Sequence, residues 1–167
     1  MVKSNLNYKM PENQNLVTRA KEIIAKIIYI TIATASKDGS PWNSPVYAAY
    51  DERYNFFWTS SPEARHSKNI AANPNVAIVI YDTNDPEGTG EGVYIEAQAS
   101  ELNDEQEITE ALKFFYGRKN KETRPASTFL GNSPRRLYKA VPEKVWMNTY
   151  QKIHGQGIDG KIEINLL

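Results

Sequence analysis

The stretch YITIATASKDGSPWNSPVYAAYDERYNFFWT, residues 29–59, decides the fold class. Tyr29 to Ala35 is β-branched or aromatic at most positions, and Lys37-Asp38-Gly39-Ser40 supplies the Asp-Gly step that closes a tight hairpin. A second strand is predicted from Pro41 to Tyr50. Asp51 to Asn55 reads as another turn, after which Phe56, Phe57, Trp58 and Thr59 make a third, short strand. Strands joined by turns this short run antiparallel, so the stretch reads as a meander.

Upstream, Leu16, Ala20, Ile23, Ile24, Ile27 and Ile28 fall three and four apart, which predicts a helix from about Glu12 to Lys26 with one buried face. Met1 to Met10 reads as a flexible arm, leaving residues 11–167 as a single domain. Downstream, Ser61-Pro62 marks a helix start, with a hydroxyl at the cap and proline at the first helical position, and Asn73-Pro74 ends that helix. Val76 to Tyr81 is a continuous apolar run, as expected for a strand covered on both faces. Val93 to Ala99 carries Glu96 and Gln98 among apolar residues, and an Asp/Gly-rich loop, Asp82 to Gly92, lies between the two. Asn103 or Asp104 caps a further helix whose Ile108, Ala111, Leu112, Phe115 and Tyr116 share a face, with Gly117 placed to end it. A basic, proline-containing connection leads to Pro134. Arg136 to Val141, Val145 to Thr149 and the alternating Ile162, Ile164 and Leu166 read as the last strands. Helices do not alternate with strands, so a doubly wound parallel sheet is excluded in favour of a mainly β chain with inserted helices, an antiparallel barrel-like sheet of about eight strands.

With 167 residues, 40% of them hydrophobic and 24% charged, the chain suits one core. Lys+Arg and Asp+Glu both number 20, so no global field attracts nucleic acid or an acidic membrane surface. The absence of cysteine removes disulfides, thiolate metal sites, thiol nucleophiles and iron–sulfur ligation together. No stretch approaches the roughly 18 apolar residues of a membrane span. A cytoplasmic location is the expectation.

Most candidate motifs have plain structural readings. Gly88-Thr89-Gly90-Glu91-Gly92 precedes a strand, whereas a phosphate-binding glycine loop needs a helix N-terminus directly after it, so a hairpin loop is expected. Asp82, Asp85 and Glu87 surround Pro86, which occupies a place where a calcium loop needs an oxygen ligand. His66 and His154 are far apart and lack the spacing of a helical zinc site, so no metal is expected. No serine sits in a G-x-S-x-G elbow, and no pair of carboxylates stands in an apolar setting. Any chemistry would be carried by a cofactor.

The segment Trp58 to Ser67 differs from these because it puts hydroxyls at a strand end, free amides at a helix start, and Arg65 with His66 in the helix. A terminal phosphate suits all three features: hydroxyls and amides donate to its oxygens, and Arg65 can bind two of them in a fork. An ordinary capped helix with a solvated Arg-His face explains the same pattern, and the pattern by itself favours that plainer reading.

Thr59-Ser60-Ser61 followed by Arg65-His66-Ser67-Lys68-Asn69-Ile70-Ala71-Ala72-Asn73-Pro74-Asn75-Val76-Ala77 resembles the FMN-binding split-barrel proteins related to pyridoxamine 5'-phosphate oxidase. Asp38-Gly39-Ser40-Pro41 leading into Asn43-Ser44-Pro45-Val46, and Arg136-Leu137-Tyr138 with Val145-Trp146-Met147-Asn148, extend the resemblance over most of the chain after Ile28. The resemblance implies a homodimer with FMN in clefts at the subunit interface. Asn43, Ser44, Pro45 and Val46 would then lie along the flavin ring, Trp58, Thr59 and Ser60 near the ring and the ribityl-phosphate chain, and Arg65 with His66 on the phosphate. Trp146 would close the cleft, from the partner subunit in one arrangement; a barrel-core aromatic is the equally weighted alternative. His66 stands where the oxidase pattern carries lysine, so a protonated imidazole on the phosphate would make affinity depend on pH. The C-terminal basic substrate signature of the oxidase is absent, which speaks against vitamin B6 as substrate. What the resemblance implies is therefore an FMN-dependent oxidoreductase of unassigned substrate, with a nicotinamide donor as one candidate partner. A flavin-binding protein without turnover, or a deazaflavin- or haem-binding split barrel, are the alternatives; His154, in the Gln151-to-Gly160 segment, is the conceivable haem ligand.

Overall fold

Residues Asn13–Lys26 form helix α1, with Leu16, Ala20 and Ile24 on its buried face as the three-and-four spacing predicts. The computed structural model describes residues 13–153 and 156–167, so the arm predicted over residues 1–10 and His154 lie outside the described residues. After α1 come strands β1 (Tyr29–Ala35), β2 (Pro41–Tyr47), β3 (Ala49–Tyr50) and β4 (Phe56–Ser60), then helix α2 (Arg65–Ala72). Strands β5 (Asn75–Tyr81) and β6 (Gly92–Glu101), helix α3 (Glu105–Gly117), a 3-10 turn (Ala126–Phe129) and strands β7 (Arg136–Ile153) and β8 (Gln156–Ile164) follow. Every pairing is antiparallel. The order across the sheet is β2-β1-β5-β6-β7-β4-β3, with β8 added to β7. The fold is the mainly β, antiparallel split barrel expected.

The β1–β2 hairpin closes at the Asp-Gly step: Gly39 takes a φ of +85°, its N–H donates to the Ser36 carbonyl, and the Ser36 hydroxyl donates to Asp38. The meander stops there. The strand predicted over Pro41 to Tyr50 divides at Ala48, whose N–H donates to the Ile28 carbonyl and whose carbonyl accepts from Arg118. β2 therefore pairs with β1, β3 with β4, and β4 with β7. The two strands predicted over 136–149 are one continuous strand, β7, with a register shift opposite Glu96/Ala97 that takes up Glu143 beside Pro142, where a ladder donor is missing. β5 alternates instead of being covered on both faces: Val76, Ile78 and Ile80 are buried, whereas Ala77 and Tyr81 are exposed.

The interior is filled by Ile30, Ile32, Phe56, Trp58, Ile78, Ile95, Tyr138 and Met147, and is closed by α1 and by Ile70 of α2. A second cluster packs Ile108, Leu112 and Phe115 of α3 and Phe129 against Phe57 and Leu137 on the outside of β4 and β7. Asp104 caps α3 by accepting from the Glu107 N–H at 2.7 Å. Among the described residues no helix is long and apolar enough to cross a membrane.

Candidate functional site

Helix α2 begins at Arg65 and not at Pro62, because residues 61–64 form a separate turn in which the Ser61 hydroxyl accepts from the Glu63 N–H. No side chain caps α2, so its first-turn amides keep their capacity to donate. The helix is anchored from behind: Asn69 donates through Nδ2 to Thr34 Oγ1 (3.0 Å), and Thr34 donates to the Trp42 carbonyl (3.2 Å).

Strand alternation divides the predicted residues between two faces. On β2, Ser44 and Val46 are buried toward the interior, whereas Asn43 and Pro45 are exposed on the outer face. Trp58 is fully buried, stacked on Tyr138 with centroids 5.6 Å apart, so its side chain belongs to the core and not to the edge of a cleft. Thr59, half-buried, stands opposite Leu137 on the other face of β4. Ser60 is half-buried at the strand end beside α2.

His66 is turned inward between two strands. Its Nδ1 is 3.0 Å from Ser44 Oγ on β2 and its Nε2 is 2.7 Å from Ser60 Oγ on β4. Burial pushes its pKa below the usual imidazole value, so the neutral ring, with one donor and one acceptor nitrogen, is the form held near neutrality. Both nitrogens, expected to serve a phosphate, have serine partners in this structure. The cation on the surface is Arg65, exposed, with its guanidinium carbon 4.5 Å from the centre of the Trp42 ring. The Trp42 indole in turn donates to Ser44 Oγ at 3.1 Å.

Trp146 lies elsewhere. The register places Pro45, Thr31, Val79, Tyr94, Trp146 and Glu163 in one row across the outer face. Ala77, Val79, Tyr94, Glu96, Trp146 and Lys161 line a shallow cavity of about 340 Å³ there, with Lys161 Nζ 4.1 Å from the centre of the Tyr94 ring. Trp146 is thus an outer-face aromatic and not a core one. It is also set apart from the Ser60 end of β4: Ser60 pairs with Arg136, and Trp146 is ten residues further along the same strand. One copy of the chain brings Ser44, Ser60, Arg65 and His66 together and leaves Trp146 apart. Trp42, Tyr94 and Lys161 were missed in the sequence; strand alternation around Pro45 and Trp146 was the signal that could have found the outer row. Among the described residues no group of His, Asp and Glu side chains is arranged to hold a metal ion.

A family model described as pyridoxamine 5'-phosphate oxidase matches residues 16–148. The chain belongs to the pyridoxamine 5'-phosphate oxidase family. FMN binding is characteristic of that family. No curated protein matches the chain in sequence. Among solved structures, the haem storage protein HutZ from Vibrio cholerae is 20% identical, with a TM-score of 0.60 over 77% of this chain and 91% of the other. An F420 reductase is 18% identical, with a TM-score of 0.55 over 81% and 98%. A haem-binding protein from Mycobacterium smegmatis is 18% identical, with a TM-score of 0.66 over 93% of this chain and 59% of that longer one. At these identities the likeness is one of fold.

The donor set meets the family's cofactor on one side. Arg65 and the uncapped amides of α2 suit a phosphomonoester, which accepts several hydrogen bonds and carries up to two negative charges. The exposed backbone of β2 and the aromatic outer row suit a flat, largely apolar ring. His66 bonds Ser44 and Ser60 and so bridges β2 and β4 in this structure.

Proposed function

We propose that this chain is an FMN-binding flavoprotein and an oxidoreductase of unassigned substrate, acting as a homodimer with the flavin between two sheet faces. The observation that carries the reading is the separation on one chain of phosphate-type donors, at Arg65 and the α2 N-terminus, from a half-buried aromatic row on the outer face centred on Tyr94 and Trp146. On one copy the Arg65 cluster and Trp146 lie on different parts of the sheet, and a second copy packed on this face would bring its own row over the ring. Arg65 binds the phosphate, the α2 amides add donors, and Asn43 and Pro45 border the ring on the strand. Trp146 and Tyr94 of the second copy exclude water from it. FMN supplies hydride transfer when bound, and a reduced nicotinamide dinucleotide is the candidate donor. His66, engaged at both nitrogens, is not assigned as an acid or base.

A deazaflavin meets the same requirements, a flat ring and a phosphate, and the likeness in fold to an F420 reductase makes it the second reading. Haem is less well served by the described residues, because His66 has no free nitrogen for an axial bond; His154, the candidate haem ligand of the sequence, lies outside them. The absorbance spectrum of the purified protein, with mass identification of any released cofactor, separates these readings. Yellow protein releasing FMN supports the first. Protein that is colourless and takes up neither FMN nor a deazaflavin overturns both.

A further inference from the structure

We propose that Trp42 is a positioning residue for the anion-binding arginine: the indole, itself held by Ser44 and through it by His66, pre-sets the Arg65 guanidinium toward a phosphate. The inference deepens the flavin reading and rests on it for the identity of the ligand, but not for the positioning itself. Four contacts form one chain. Ser60 Oγ on β4 bonds His66 Nε2 (2.7 Å), and His66 Nδ1 bonds Ser44 Oγ on β2 (3.0 Å). Ser44 Oγ accepts from Trp42 Nε1 (3.1 Å), and the Trp42 ring carries the Arg65 guanidinium at 4.5 Å from its centre.

Each contact restricts the next. A serine hydroxyl has two lone pairs and one proton, so Ser44 can accept from the indole while it bonds His66. That fixes the plane of an indole which is 41% exposed and would otherwise turn freely. A fixed aromatic face attracts a guanidinium by its quadrupole and leaves the N–H edge of the fork free for oxygen atoms. An exposed arginine has much rotamer freedom to lose on binding an anion, and stacking removes part of that loss in advance. The indole N–H is the part of Trp42 that a phenylalanine cannot replace.

Two measurements test this. The first compares FMN with riboflavin, which lacks the phosphate, in wild type, Trp42→Ala, Trp42→Phe and Arg65→Ala. Trp42→Ala is expected to weaken FMN about tenfold with riboflavin unchanged, and Trp42→Phe to recover part of the loss. Combining Trp42→Ala with Arg65→Ala should add nothing beyond Arg65→Ala, because the two act through one group. Equal losses for both ligands in Trp42→Ala, or additive losses in the double variant, would overturn the positioning role. The second measurement needs no flavin: calorimetric titration of inorganic phosphate into the same proteins. If wild type takes up no FMN but binds phosphate in a manner lost in both Arg65→Ala and Trp42→Ala, the flavin reading fails and the positioning role stands. If Trp42→Ala binds phosphate as wild type does, the role falls whatever the flavin result. Trp42 is exposed enough for both variants to fold, which circular dichroism verifies.

Discussion

Arg118, just past the last turn of α3, holds three parts of the chain at once. Its guanidinium donates to the carbonyls of Ile24 (2.8 Å), Ala25 (3.0 Å) and Ile27 (2.9 Å) at the C-terminal end of α1, and to Ala48 (3.0 Å) where β2 gives way to β3. It also lies 5.1 Å from the centre of the Tyr50 ring. A helix end leaves four carbonyls without intrahelical partners, and a cation there also meets the favourable end of the helix dipole. Arg118→Ala removes three partly buried hydrogen bonds at about 1 kcal/mol each and a cation–π contact worth about 0.5–1 kcal/mol, so a loss of about 3–4 kcal/mol is expected. The Ala25 carbonyl is exposed and recovers a bond from water, so it is not counted. Arg118→Lys keeps the charge but not the fork and should lose roughly half as much. Urea unfolding followed by far-ultraviolet circular dichroism measures both, with the midpoint shifted and the slope unchanged. A loss below about 1 kcal/mol for Arg118→Ala would refute the view that this residue ties α1 and the β2–β3 junction to α3.

Arg65→Ala should weaken FMN by roughly tenfold or more and leave riboflavin unaffected, as fluorescence titration of both ligands would show. Burial lowers the His66 pKa, so the unfolded chain binds the extra proton first; the contribution of the His66 strut is complete above the ordinary imidazole value of 6.5 and declines as pH falls below it. Urea midpoints measured on either side of that value should show this decline in wild type and a flatter profile in His66→Gln; parallel profiles would show that the ring is not held neutral. His66→Lys should be less stable than wild type at neutral pH, since an ammonium cannot accept a proton from either serine, and unfolding at a single pH checks it. Trp146→Ala should shift sedimentation toward monomer at low protein concentration, and an unchanged profile would speak against the outer row as the contact between copies.

The sequence by itself determined the elements whose causes are local. The Asp38-Gly39 step closes the first hairpin because glycine takes the positive φ the turn requires. The apolar spacing from Leu16 to Ile24 makes α1, and Asp104 caps α3 through a bond to an amide three residues on. The grouping of Ser60, Arg65 and His66 at a strand-to-helix junction was legible for the same reason, since a few residues of chain hold them together. Only the tertiary structure decided what those pieces face. The break at Ala48 depends on Arg118, 70 residues away, and the covering of β5 on one side only depends on which strands its neighbours present. The role of His66 turned on Ser44, which lies 22 residues earlier and reaches the imidazole because β2 turns that side chain inward. Propensity and turn chemistry act over a few bonds, whereas the partner of a buried polar atom is set by whichever distant segment packs against it. The arginine and the histidine, adjacent in sequence, therefore end with different tasks: one faces outward with its charge available, and the other is neutral, half-buried and satisfied.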